Sequence, residues 1–233
     1  MTVGGTPGES PARPIDQEIR ALKGRVLEMG AWALGMVEDG TRAFRTRDSN
    51  LAEEVVRRDV RLDLFDVEIE QEAVRFLIRR QPAARDVRLA TSILKIITYL
   101  DRIGRYGYDV ARATDPPPPP LEENPDLPVM AERATAMVRA ALDAFDAQDP
   151  RRAARIYEED EPVDELHRKI LSDEIRRMTA GGAEVETAAR RLMVSRYLER
   201  VADNACKIAE KTIYSATGHR RSEFLHDGKH VRL

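Results

Sequence analysis

Residues 99–111 read YLDRIGRYGYDVA and residues 197–209 read YLERVADNACKIA, one phrase written twice with an acid followed by arginine at the same place. The first copy sits in a run of Leu89, Ile93, Ile96, Leu100, Ile103, Gly107 and Val110, where apolar residues return at alternating steps of four and three. That rhythm marks a helix burying one stripe against partners. A repeated long-helix phrase therefore predicts two related helical units rather than one sheet-containing domain.

The same rhythm extends in both directions. Ile15, Ile19, Leu22, Val26, Met29, Ala33 and Met36 predict a first buried helix, and Val56, Val60, Leu64 and Val67 supply the buried stripe of a second. Leu127, Ala131, Ala134, Val138, Ala141 and Phe145 open the later half. No convincing period-two stretch occurs, and 5% aromatic residues also speak against sheet. Breaks fall at TRDSN (46–50), QP (81–82), the proline run DPPPPPLEENPDLP (115–128) and GG (181–182). The expectation is all-α: two tandem, sequence-related three-helix bundles with six long helices. Residues 15–114 form the first and 127–216 the second, joined by a proline-rich linker over 115–126, with a disordered N-terminus (1–14) and a flexible C-terminal tail (217–233).

Internal correspondence supports the duplication. Ala43, Phe44, Asp48, Asp59 and Asp63 reappear 101 positions later as Ala144, Phe145, Asp149, Asp160 and Asp164. Beyond the second break the offset is 98, so Leu100, Asp101, Arg102 and Ile103 become Leu198, Glu199, Arg200 and Val201.

The acids carry the chemistry. Asp59/Asp63 and Asp160/Asp164 stand four apart on the middle helices, so each pair shares a face, and Asp66 and Glu70 extend the first stripe. Asp63 and Asp101 are equidistant from Pro82, and Asp164 and Glu199 from the Gly181-Gly182 pair, which sets them level in an antiparallel hairpin. Asp160, Asp164, Glu199 and Asp203 thus converge in the second unit; Asp59, Asp63, Asp101 and Asp109 form the corresponding set in the first. Clustered carboxylates must take up protons, pair with bases or bind a cation, and an all-oxygen set suits hard ions. Two readings stand: a metal, or salt bridges alone. In the first unit Asp101, Arg105 and Asp109 make a ladder at i, i+4 and i+8 that neutralises itself, whereas Glu199, Asp203 and Lys207 leave the second set less compensated. Pro162 would kink the helix holding Asp160 and Asp164 unless that helix begins there.

Composition narrows the function. The 233 residues are 42% hydrophobic, enough for a sizeable core, and 34% charged with a formal net charge of −3, so no single-sign field points to nucleic acid. No apolar run approaches the ~18 residues that span a bilayer. The opening MTVGGTPGESPARP lacks the basic start and apolar core of a signal peptide, and Cys206 has no second cysteine to pair with; a cytoplasmic protein is expected.

The same residues carry a family resemblance. LERVADNACKIAE (198–210), LDRIGRYGYDVA (100–111), QPAARDVR (81–88) and DEPVD (160–164) resemble the motifs of the PhoU family, regulators of phosphate uptake and phosphate-responsive signalling built as two tandem three-helix bundles. The chain departs at Asn204, where the family has histidine, at Lys207, where it has asparagine, and at Arg105, where it has a second acid. The resemblance implies a non-enzymatic adaptor, in peripheral contact with membrane complexes, between the phosphate ABC transporter and the phosphate-sensing histidine kinase. It also implies iron or zinc at the acid-x-x-x-acid motifs, kept here at 59/63, 160/164 and 199/203, while the all-oxygen set by itself suits magnesium or manganese as well; a homodimer is a further expectation, which the sequence does not decide. Neither a nucleic-acid partner nor any other cofactor is expected.

Other residues have plainer readings. His167 lies three residues after Asp164 and reads as a solvated helix histidine, and His219, His226 and His230 fall in the tail. Arg102 and Arg200 are expected to pair across helices, Gly104 and Gly107 to permit close helix approach, and Trp32 and Cys206 to fill space.

Overall fold

The computed structural model describes residues 14–114, 124–180 and 184–227. Helix α1 (Pro14–Thr46) is followed by α2 (Ser49–Arg57), α3 (Asp59–Arg80) and α4 (Ala84–Arg112). The second unit repeats the order with α5 (Asp126–Ala147), α6 (Pro150–Arg155), a 3-10 turn at Ile156–Glu159, α7 (Asp160–Ala180) and α8 (Glu184–Thr217), and α9 (Arg221–Asp227) follows. The described residues contain no strand. Each unit is a three-helix bundle whose middle member is broken near its start, at Arg58 in one and over 156–159 in the other. The expected N-terminal segment up to residue 13, linker residues 115–123 and the Gly181-Gly182 break lie outside the described residues.

The joint between first and middle helix is duplicated down to its capping. Arg47 and Gln148 each take a left-handed backbone, at φ 59° and 50°. The next residue is then an aspartate N-cap: Asp48 accepts from the Leu51 N–H, and Asp149 from those of Arg151 and Arg152. Such a carboxylate satisfies N–H groups the first turn leaves unpaired. The Asp149 backbone bonds hold its carboxyl below the ordinary value.

The crossings differ between units. A methyl at Gly107 would stand 2.6 Å from the Met36 carbonyl carbon and Val37 nitrogen, and one at Gly40 would stand 2.5 Å from the Gly107 oxygen, so α1 and α4 touch backbone to backbone. Ala141 and Ala205 occupy the equivalent places in the second unit. Gly104 makes room for the Leu62 side chain, where the second unit carries Ala202 and Val163, moving one carbon from one helix to the other. The units join through α4 and α8, which run antiparallel: Tyr106 stacks on Tyr197 at 6.1 Å, and Arg190 donates to the Ala113 carbonyl at 2.9 Å.

Two expectations are corrected. The stripe Val60, Leu64 and Val67 does not face the core; these residues are 68%, 47% and 49% exposed, and α3 buries Leu62, Phe65, Ile69, Ala73 and Phe76. Helix α3 carries two apolar stripes, and the one with the larger aromatic area is turned inward. The tail is helical at Arg221–Asp227: Arg221 stacks over the Tyr157 ring at 3.7 Å, and Phe224 packs on the core. Those two contacts tie down the described part of the tail that is expected to be flexible.

Candidate functional site

In the first unit the repeated phrase delivers Asp101 and Arg105 from α4 toward Asp59 and Asp63 on α3. Arg105 reaches all three acids. Its guanidinium lies 3.1 Å from Asp101, 2.6 Å from Asp63 and 3.3 Å from Asp59. Burial works against the Arg105 charge, but the surrounding carboxylates outweigh it and raise its pKa. The expected ladder along α4 is thus redirected. Arg105 keeps Asp101 but turns across to α3, and Asp109, expected as its second partner, makes no ion pair among the described residues. Burial, then the Asp59 charge, pushes the Asp109 carboxyl up. Asp59 is itself raised by burial, against which Arg105 pulls down.

In the second unit the same position is Asp203, and the arginines behave otherwise. Arg196 pairs with Glu199, and Arg200 with Asp203 at 2.9 Å, each along its own helix. Arg200 was expected to cross between helices; its spacing from Asp203 lets it close a turn of α8 instead. Arg102 makes no ion pair among the described residues. The gap between α7 and α8 therefore receives carboxylates with no arginine bridging the two helices among the described residues. Burial and then the charges of Asp164 and Asp203 raise Asp160, while Asp164 is raised by burial and then by Glu199 and Asp203. Asp160 and Asp164 thus stand within reach of the charges from α8.

Local sequence explains how they are held. Asp160 opens α7, so Pro162 falls in the first turn, where its missing N–H and fixed φ do no harm. Asp160 lies beside the buried Cys206 thiol, whose pKa is pushed up by burial and then by that carboxylate. Cys206 follows Glu199 and Asp203 at steps of four and three, a spacing that placed it on the acid face of α8 all along. Tyr157, in the 3-10 turn, donates to the Cys206 carbonyl at 2.9 Å. His167 stands apart, 3.1 Å from the Ser195 hydroxyl, and His219 lies 3.9 Å from Glu223. The His226 side chain and His230 lie outside the described residues.

Among the described residues no three His, Cys, Asp or Glu side chains are gathered closely enough to hold one ion as they stand. The two acid sets differ in how they would accommodate one. The first does not fit a metal, because a guanidinium already occupies its centre. The second fits a hard cation in chemistry, having four carboxylate side chains on two helices and mutual repulsion that a cation would relieve.

A second buried charge cluster, missed from sequence, fixes the entry to α5. Glu174 is fully buried, accepts from the Asn124 side-chain amide N–H at 2.7 Å and faces Arg191 at 3.5 Å, while the Asn124 side-chain oxygen Oδ1 accepts from the Asp126 N–H. A buried carboxylate so partnered is a structural tie. No helix among the described residues is long and apolar enough to cross a membrane.

Comparison with known proteins agrees with this architecture. The PhoU domain matches residues 26–114 and again 127–212. A Zymomonas mobilis protein named phosphate-specific transport system accessory protein PhoU homolog is 29% identical, over 91% of this chain and 90% of its own. The Serratia marcescens phosphate-specific transport system accessory protein PhoU is 30% identical, over 88% of this chain and 85% of its own. The crystal structure of PhoU from Pseudomonas aeruginosa superposes with a TM-score of 0.82 at 31% identity, covering 88% of this chain and all of that one. With both bundles matched in order and almost end to end, the chain belongs to the PhoU domain family.

Proposed function

We propose that the protein is an accessory regulator of phosphate transport, which lowers phosphate uptake and phosphate-responsive gene expression when phosphate is plentiful. It acts by protein contacts in the cytoplasm, as an adaptor between the phosphate ABC transporter and the phosphate-sensing histidine kinase, and catalyses no reaction. The observation that carries this is the match of both bundles, in order, to relatives named for the phosphate-specific transport system. In the same reading Asp160, Asp164, Glu199 and Asp203 hold a hard cation such as magnesium, manganese or iron, which neutralises their charge and ties α7 to α8. The arrangement in which Arg105 bridges its acids favours a metal-free first unit.

Deleting the gene and measuring phosphate uptake and phosphate-regulated expression at high external phosphate tests the regulatory role. Loss of repression is expected, with restoration by the intact gene. Unchanged repression would contradict it.

A further inference from the structure

The outward stripe of α3 takes no part in the core formed by the described residues. Val60, Leu64, Val67, Val74 and Ile78 recur at steps of four, three, seven and four and are 40–74% exposed. They lie about 180° around the helix from the buried Leu62, Phe65, Ile69, Ala73 and Phe76, and cover roughly 27 Å of its length. A helix apolar on two opposite faces usually has a partner on each. The second unit provides an internal control. At the offset of 101 those five positions are Glu161, Glu165, Arg168, Ile175 and Thr179. The same bundle is thus built with three charges on this face and Ile175 as the apolar member of the five, and the continuous apolar stripe is specific to the first unit.

The edges of the stripe differ in charge. On one side Glu68 is paired with Arg25 and Arg61, and Arg61 also lies over the Phe65 ring, so that edge is balanced within the protein. On the other side run Asp59, Asp63, Asp66 and Glu70. Arg105 engages the first two, but Asp66 and Glu70 make no ion pair among the described residues, and burial followed by the charges of Asp101, Glu70 and Asp63 raises Asp66.

From this face we propose a docking site on α3 for an amphipathic helix of a partner protein, whose apolar stripe seats on Val60 to Ile78 and whose basic edge meets Asp66 and Glu70. The inference rests on the adaptor reading and names the chemistry of one contact. A second copy is a poor occupant, because antiparallel pairing of α3 with itself sets the acidic edge carrying Asp66 and Glu70 of one copy against the same edge of the other. An anionic lipid surface is poorer still, since the uncompensated edge is acidic. A single-helix contact of this size belongs to the weak, reversible class.

The test uses the full-length protein and a synthetic helical peptide of about 20 residues, long enough to match the stripe. The peptide carries leucine at its a and d positions, lysine along one edge and glutamine along the other; a second peptide has glutamate in place of lysine. Fluorescence anisotropy should show micromolar binding of the lysine peptide, about tenfold weaker binding of the glutamate peptide, and about tenfold loss in Leu64→Gln/Val67→Gln but not in Ile175→Gln. Circular dichroism checks that the variants fold. Absent binding, equal binding of the two peptides, or full binding by Leu64→Gln/Val67→Gln overturns the proposal. So does self-association, or attachment to anionic vesicles, that Leu64→Gln/Val67→Gln abolishes. Unchanged phosphate repression in the deletion strain would remove the phosphate reading without touching this result.

Discussion

The two acid clusters are built from one plan and neutralised in opposite ways. In the first unit a single guanidinium crosses from α4 and meets carboxylates on both helices. In the second, Asp203 stands in that place, arginines pair along α8, and the carboxylates between α7 and α8 repel. One change of sign, four residues after the acid of the repeated phrase, separates a closed ion-pair network from a cluster with no arginine bridging its two helices among the described residues. Duplication preserved the helices and their caps while the electrostatics diverged.

The comparison can be pressed at the helix crossings, where the largest effects are expected. Gly107→Ala places a methyl against the Met36 and Val37 backbone, which cannot move aside as a side-chain tip can. It should lose about 1–3 kcal/mol by denaturant melt, despite the better helix propensity of alanine. The reciprocal Ala205→Gly in the second unit should lose only about 1 kcal/mol, through helix propensity. Equal losses would mean that the two crossings are equally close.

Arg105→Met comes next. It leaves Asp59, Asp63 and Asp101 facing one another, and since each ion pair is partly exposed the loss should be about 1–2 kcal/mol in total. Arg200→Met in the second unit removes one same-helix pair and should lose no more than about 0.5 kcal/mol.

Smaller but more telling is a reversal of sign. Asp63→Asn removes a partner of Arg105 and should destabilise by roughly 0.5 kcal/mol, whereas Asp164→Asn relieves repulsion and should stabilise the metal-free protein by a similar roughly 0.5 kcal/mol. Thermal melts in chelator read both, and matching signs would break the contrast.

The pH dependence gives the finest reading. Asp160 and Asp164 have folded pKa values above the ordinary carboxylate value, so their ionisation penalises the folded state. That penalty is present above the folded pKa and is relieved as pH falls through it toward the unfolded value. In chelator, acidification through that window should therefore stabilise the wild type more than Asp160→Asn/Asp164→Asn. An unchanged slope would show that folding does not raise these two carboxyls.

How much of this was legible in the sequence follows from which physical signals are local. Leu89 to Val110 keeps one rhythm and one buried face, so α4 could be read directly. Helix α3 carries two apolar stripes, and periodicity alone does not say which one the core takes; it takes the one holding Phe65 and Phe76. The matching heights of Asp63 with Asp101 and of Asp164 with Glu199 were legible because spacing from a turn fixes height along a hairpin. The long reach of Arg105 was not, since a guanidinium on a flexible stem chooses among partners only once neighbouring helices are in place. The Asn124–Glu174–Arg191 tie joins residues too far apart in sequence for any local pattern to suggest it.

The central claim is that the second cluster, and not the first, holds a cation. Protein purified without chelator and loaded with manganese can be analysed for metal content after gel filtration, alongside Asp164→Asn/Glu199→Gln and Asp63→Asn/Asp101→Asn. The account predicts that the second-unit variant loses its metal while the first-unit variant keeps the wild-type content. Equal metal in all three proteins, or loss confined to the first-unit variant, would contradict it.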